Sequence, residues 1–319
     1  MGEFIIMLRN VLVFVALAVP GYMLVKFGVL KHEQSGVLSK ILMFLAMPFL
    51  IFSGTVNNLA FTSETLIMLG IAVVIGIVYT LVMFFASSPL TAMEKNEKTK
   101  GMMRFCSVFS NNGFLGIPLA IAVFGKESQV FTVLILLNII SNVLMYTLGA
   151  HLMAEEKKGI NFKKILLNPV LLAFIAGLIF NLLHVKDFVP EVATFSDYFS
   201  GLVTPISMTI LGMKMATVKF GSMFKELKLY YVSFLKIVFF PVVIIAIMLI
   251  FKALPFGFDY KSLVLGVFFA FAMPTAGLAT TFADEYKGDT KSAVIFTLGT
   301  TILSVLTIPV IYWLICLFI

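Results

Sequence analysis

The chain has 319 residues, 61% of them hydrophobic and only 12% charged, with a formal net charge of +7 and a mean hydropathy of +1.08. A soluble domain is about half apolar and a quarter charged, so this composition excludes a water-soluble fold and points to lipid as the solvent. The basic residues are spread over short loops rather than gathered in a patch, which argues against nucleic acid as a partner, and the two cysteines, Cys106 and Cys316, lie far apart in apolar segments and form neither a disulfide framework nor a metal site.

Runs of about 20 apolar residues are long enough to cross a bilayer core. They are predicted at 8–27, 36–56, 65–88, 101–124, 129–151, 165–184, 197–216, 228–251, 261–284 and 291–317. The first run follows Arg9 and superficially resembles a signal peptide, but it lacks a small-residue cleavage site and reads as a true first helix. Connections are short; the longest hydrophilic ones are AMEKNEKTK and AEEKKGINFKK. Seventeen Lys and Arg fall in the five odd-numbered loops, against five in the N-terminus and the even-numbered loops. Basic residues concentrate on the cytoplasmic side, so both termini are expected outside, with the odd loops in the cytoplasm of a plasma-membrane protein.

Two halves of five helices look alike. Pro48 and Pro205 fall in the second helix of each half, 157 residues apart, and Pro118 and Pro274 in the fourth, 156 apart. Five is an odd number, so the second copy inserts upside down, the inverted topology that transporters use around a midplane site. The expected fold is therefore an all-α integral membrane protein. It has a first repeat at 1–151, a short cytoplasmic linker at 152–164 and a second, inverted repeat at 165–319.

Helix 4 holds Asn111, Asn112, Gly113, Gly116 and Pro118 within eight residues. Proline lacks an N–H and clashes with the carbonyl four residues back, while the glycines weaken the helix further. Pro274, followed by Thr275 and Gly277, does the same to helix 9. In hydrocarbon such interruptions persist only where protein or a water-filled cavity receives the freed groups. If helices 4 and 9 cross at their breaks, second half-helices starting near Pro118 and Pro274 bring their positive N-terminal ends together. With Asn111 and Asn112 as neutral donors, that spot suits a carboxylate. The carbonyl ends of the first half-helices meet there too and suit a cation.

NNGFLGIPLAIAVFG, LAMPFLIFSGTVNN and FADEYKGDTKSAVIFTLGTTILSVLTIPVIYWL carry a resemblance to the auxin efflux carrier family, which includes plant PIN-formed carriers and bacterial malate and malonate permeases. The resemblance implies ten helices in two inverted repeats, with broken helices 4 and 9 crossing at two prolines in a bile-acid-carrier-like arrangement. It implies carboxylate substrates held near the crossing. Asn111 aligns with the family asparagine, Asn112 is its neighbour, and Pro118 and Pro274 match the crossover prolines. Unlike the long plant members, this chain has no large central hydrophilic loop, and a bacterial-type permease for a small organic acid fits better than an auxin carrier.

Other polar residues have two readings. Asn138 and Asn142 share one face of helix 5 and either line the cavity or glue helices together. Ser53 and Thr55, on helix 2, are weaker site candidates. Lys236 is the single charge well inside a span, where charge marks function by default, yet its stem is long enough to snorkel to the surface. Asp197, Asp284 and Glu285 read as boundary charges, with Glu285, and beside it Asp284, the candidates for coupling. His32, His151 and His184 are scattered, and no catalytic constellation, cofactor motif or metal-binding set appears, so the expected function is not enzymatic. The leading reading is a secondary transporter moving a small organic anion by alternating access. A sodium-coupled anion symporter and a transporter-like membrane sensor are the alternatives. The sequence leaves open proton or sodium coupling and homodimer formation.

Overall fold

The computed structural model describes residues 2–153, 166–218 and 220–319, and among these it is helical with no strand. Among the described residues six helices are long and apolar enough to cross a membrane: α1 (Gly2–Lys26), α2 (His32–Asn58), α3 (Ser63–Leu90), α5 (Gln129–Met153), α8 (Leu227–Phe251) and α10 (Thr290–Phe318). Shorter helices complete the bundle. These are α4a (Glu97–Val108), α4b (Asn112–Phe124), α6 (Pro169–Leu182), α7 (Val203–Met215), α9a (Tyr260–Phe271) and α9b (Ala279–Glu285). Each predicted span overlaps one of these helices, but the ends differ by up to six residues, the fourth and ninth are interrupted, and the seventh is preceded by a separate helix, Glu191–Ser200. Most of the expected linker, from residue 154 onward, lies outside the described residues.

Local chemistry fixes the helix starts. The side chains of Thr62, Asn96, Ser128, Asn168, Asp259 and Asp289 each accept from a backbone N–H in the first turn of α3, α4a, α5, α6, α9a and α10, replacing partners that a helix cannot give its own leading amides. Inside the bundle, the rings of Pro48, Pro118 and Pro241 each follow a widened π turn, at Leu42–Ala46, Asn112–Gly116 and Leu235–Phe239. Widening a turn lets the ladder skip the missing N–H without breaking the helix.

Exposure divides the helices by role. Ile67, Val74 and Phe85 on α3, Ile175 and Ile179 on α6, and Val243 and Ile250 on α8 all face outward, as lipid-facing residues do. By contrast Leu263 through Phe271 of α9a are all buried. Polar backbone near α9a is therefore shielded from hydrocarbon, which is the condition a broken helix requires.

The packing is paired. α1 lies against α7, and α6 against α2; α5 packs on α3 and α9a, as α10 packs on α8 and α4a. At the α1–α7 contact neither Gly21 nor Gly212 can carry a side chain, because a Cβ on the first would strike the carbonyl of Thr209 and one on the second the carbonyl of Ala18.

The segment between α3 and α4a and the first turn of α4a meet the starts of α8 and α10 at one end of the bundle. Thr99 Oγ1 donates to Asp289 Oδ2 at 2.7 Å, and Lys228 pairs with Glu94. The Lys228 ammonium and the Asn96 N–H hold the Glu94 carboxyl below its ordinary range. A depressed carboxylate adds stability above its unfolded pKa, and that stability is lost as pH falls through the folded value. Acidification below about pH 4 is expected to lower the thermal midpoint by about 1–2 °C through this pair, whose lysine is half-exposed. Repeating the titration with Lys228→Met should remove that component.

Candidate functional site

Helix 4 stops at Val108 and restarts at Asn112; helix 9 stops at Phe271 and restarts at Ala279. The two unwound segments lie antiparallel, with Ser110 opposite Thr275. Asn111 N donates to Pro274 O at 2.8 Å and Ala276 N to Phe109 O at 2.9 Å. Two backbone bonds thus replace part of what each helix lost, in a setting where an unpaired amide costs several kcal/mol. Ser110 Oγ adds a bond to Phe271 O at 3.2 Å.

The break in helix 4 is not where its proline predicts. Pro118 sits inside α4b, where the π turn Asn112–Gly116 absorbs its missing N–H, whereas Pro274 lies in the unwound segment itself. The unwinding at Phe109–Asn111 coincides with the pairing to helix 9, and Asn111 has left the helical basin at φ −82°, ψ 48°. The two second halves are unequal in length as well: α4b runs from Asn112 to Phe124, while α9b has seven residues and contributes a much weaker N-terminal dipole. Pro205 also differs from Pro48, since it stands in the first turn of α7, where proline is well tolerated.

Beside the crossing lies a small cavity of about 40 Å³, bordered by Ser110, Asn111, Asn112, Gly113, Asn138 and Asn142, with Gly277 and Leu278 from helix 9. That is room for two or three waters or a polar group of similar size. Asn138 Nδ2 donates to Asn112 Oδ1 at 2.9 Å, and Asn142 Nδ2 to Asn138 O at 2.8 Å. This arrangement leaves Asn112 Nδ2 and Asn138 Oδ1 buried with no protein partner. Buried amide atoms are nearly always satisfied, which makes this pair the candidate contact point for a polar ligand. The first amides of α4b, at Asn112, Gly113 and Phe114, also lack carbonyls within their own helix.

Met43, Tyr146 and Leu278 separate this cavity from a vestibule of about 680 Å³ and border both. The vestibule opens among His32, Lys40, Lys214, Asp284 and Thr290, at the end where α10 begins. Lys214 Nζ bonds Gly277 O and Thr280 Oγ1, each at 3.2 Å, directly beneath the unwound part of helix 9.

The remaining predicted residues are dispersed. Thr275 is fully buried but occupied: its N–H donates to Thr300 Oγ1 and its hydroxyl to Cys106 O. Gly116 packs on the Phe269 carbonyl instead of bordering the cavity, and a Cβ there would stand 2.6 Å from that oxygen. Ser53 lies at the opposite end, donating to Asp197 Oδ1 in a separate cavity with Asn57, Asn58 and Lys126. Asp284 borders the vestibule and accepts from Thr290 Oγ1, with Glu285 beside it at the end of α9b. Lys236 does not snorkel. It is 1% exposed, with its ammonium at the crossing. Ser110, Thr300, Tyr146 and Lys214 escaped the sequence reading; a hydroxyl in a membrane helix carries no signal of its own, and Lys214 reads as a loop charge.

A model of the family described as "Membrane transport protein" matches residues 5–164 and 159–312. An uncharacterized transporter of Methanocaldococcus jannaschii is 28% identical over 221 residues, which is 66% of this chain and 70% of that protein. Another uncharacterized transporter, from Methanothermobacter thermautotrophicus, is 28% identical over 213 residues, 64% of this chain and 67% of its own length.

Proposed function

The chain belongs to the membrane transport protein family, and from that premise we propose that it carries a small organic anion, a carboxylate, across the membrane by alternating access at the crossing of helices 4 and 9. One observation carries the reading. The unpartnered Asn112 amide and the free leading amides of α4b border the same buried cavity. Neutral donors at a positive helix end hold an anion without a buried arginine. No metal or cofactor enters this reading.

The paired packing supports a fold of ten spans in two inverted repeats, since exchanging helices 1–5 with 6–10 maps α1–α7 onto α6–α2 and α3–α5 onto α8–α10. We read the vestibule as the cytoplasmic mouth, because it opens on the side where basic loops gather. Both termini then face outside. Met43, Tyr146 and Leu278 form the thin gate between vestibule and site, and we read the opposite end as the closed one.

Closure there includes a polar latch. Lys126 Nζ reaches Asp197 Oδ1 at 3.0 Å and Ser200 Oγ at 3.2 Å, while Ser53 holds the same carboxylate oxygen. Asp197→Asn frees the lysine and is expected to speed labelling of a Leu50→Cys variant, at a buried position bordering that cavity, by an impermeant maleimide about two- to five-fold, the range of a half-exposed ion pair. Unchanged labelling would remove the latch.

Uptake into proteoliposomes tests the function itself. Malate, malonate, citrate and lactate are the first substrates, each paired with a thermal-shift measurement, because a ligand stabilises the state it binds. Saturable uptake of a carboxylate together with an upward shift supports the proposal; a panel of carboxylates that neither bind nor cross contradicts it.

A further inference from the structure

The carbonyl ends of α4a and α9a point into one another's neighbourhood at the crossing, each equivalent to about half a negative charge. Two such ends in a dry interior require a positive partner. Among the described residues that partner is Lys236, at the π turn Leu235–Phe239 of α8. Its ammonium donates to Val108 O at 3.2 Å, to Phe271 O at 3.5 Å and to Ser110 Oγ. Val108 is the last residue of α4a and Phe271 the last of α9a. An ammonium has three N–H groups and no acceptor, and three oxygens surround this one. The count closes without a carboxylate.

We propose that Lys236 is a built-in cation, occupying the place where the carbonyl ends of the two broken helices would otherwise bind an alkali ion, so the crossing needs no sodium. The inference concerns the resident charge at the crossing and stands whether or not the solute in the neighbouring cavity is a carboxylate. It separates a sodium-independent carrier from a sodium-coupled one. The same three oxygens cannot serve a sodium ion while the ammonium holds them. Lys236 acts on the crossing rather than on the solute and is a positioning residue.

The test is the thermal midpoint of the purified protein in sodium, potassium or choline chloride at equal ionic strength. Wild type is expected to melt within about 1 °C in all three. Lys236→Ala is expected to fall by about 5–10 °C, from the loss of a fully satisfied buried ammonium, and to be raised again by sodium or by propylammonium, which enters the vacated space. Lys236→Met fills that space without charge and is expected to stay low with either cation. A wild-type midpoint that rises with sodium over choline overturns the proposal, as does an alanine variant that responds to neither cation. Should the alanine variant not fold, the wild-type comparison decides alone. Uptake measured in sodium and in choline gives a separate arm: no uptake in either tests the transport reading, and sodium-dependent uptake contradicts Lys236 as the resident cation.

Discussion

Asn112→Asp is expected to abolish carboxylate uptake while leaving the protein folded. The substitution is isosteric and keeps the oxygen that accepts from Asn138 Nδ2. It replaces the unpartnered Nδ2 with an oxygen that is anionic whenever the group ionises. An anion seated about 4 Å away then meets a like charge, worth about 4 kcal/mol at an intermediate effective dielectric, or roughly a thousand-fold in affinity. Asn112→Ala removes only the donor and is expected to cost about ten- to a hundred-fold, as for a hydrogen bond to a charged group. Initial uptake rates over a range of substrate concentrations distinguish the two, with the thermal midpoint as the folding control. Equal uptake by Asn112→Asp and wild type would move the anion elsewhere.

The two asparagines that the sequence singled out reach the crossing by different routes. Asn111 ties its backbone to helix 9 by donating to Pro274 O and also borders the cavity beside Gly277, whereas Asn112 reaches the cavity through the amide that Asn138 holds. The presence of the helices was legible because apolar run length is a local signal, but their ends were not: α1 begins six residues before, and α7 six residues after, the predicted start. The proline spacing pointed to helices 4 and 9 but misplaced one break. A proline says where a helix loses a hydrogen bond, and a π turn or a partner strand decides where the chain unwinds. Nothing local could say that Ser110 meets Thr275, since that pairing joins positions 165 residues apart. Lys236 was visible as an anomaly, yet its partners are two carbonyls and a hydroxyl on other helices, so the sequence alone left snorkelling open. Ser53 shows the converse. A hydroxyl in a familiar-looking block was read toward the site, and the fold carries it to the opposite end, onto Asp197.

Glycine substitutions are expected to divide sharply by what each glycine touches, with the largest loss at the α1–α7 contact. A methyl at Gly212 would overlap the carbonyl of Ala18 and stand 2.7 Å from the N of Tyr22. Both obstacles are backbone, so relief requires the whole helix to move away. Gly212→Ala is therefore expected to give little folded protein, or a midpoint at least about 10 °C lower. Gly177 occupies the matching α6–α2 contact, where the nearest obstacles are the Thr55 side chain at 2.9 Å and the Phe52 carbonyl at 3.1 Å. Part of that clash is with a side chain, and Gly177→Ala is expected to cost a few degrees. Gly70 lies within α3, where an added methyl would meet nothing within 4 Å, so Gly70→Ala is expected to hold or raise the midpoint through the gain in helix propensity, about 0.5–1 kcal/mol. Small residues let membrane helices approach closely where lipid supplies no hydrophobic drive of its own. The order Gly212, Gly177, Gly70 therefore measures how far the two paired contacts, rather than helix propensity, hold the bundle together. Equal losses at all three positions would mean that close backbone approach is not what joins α1 to α7.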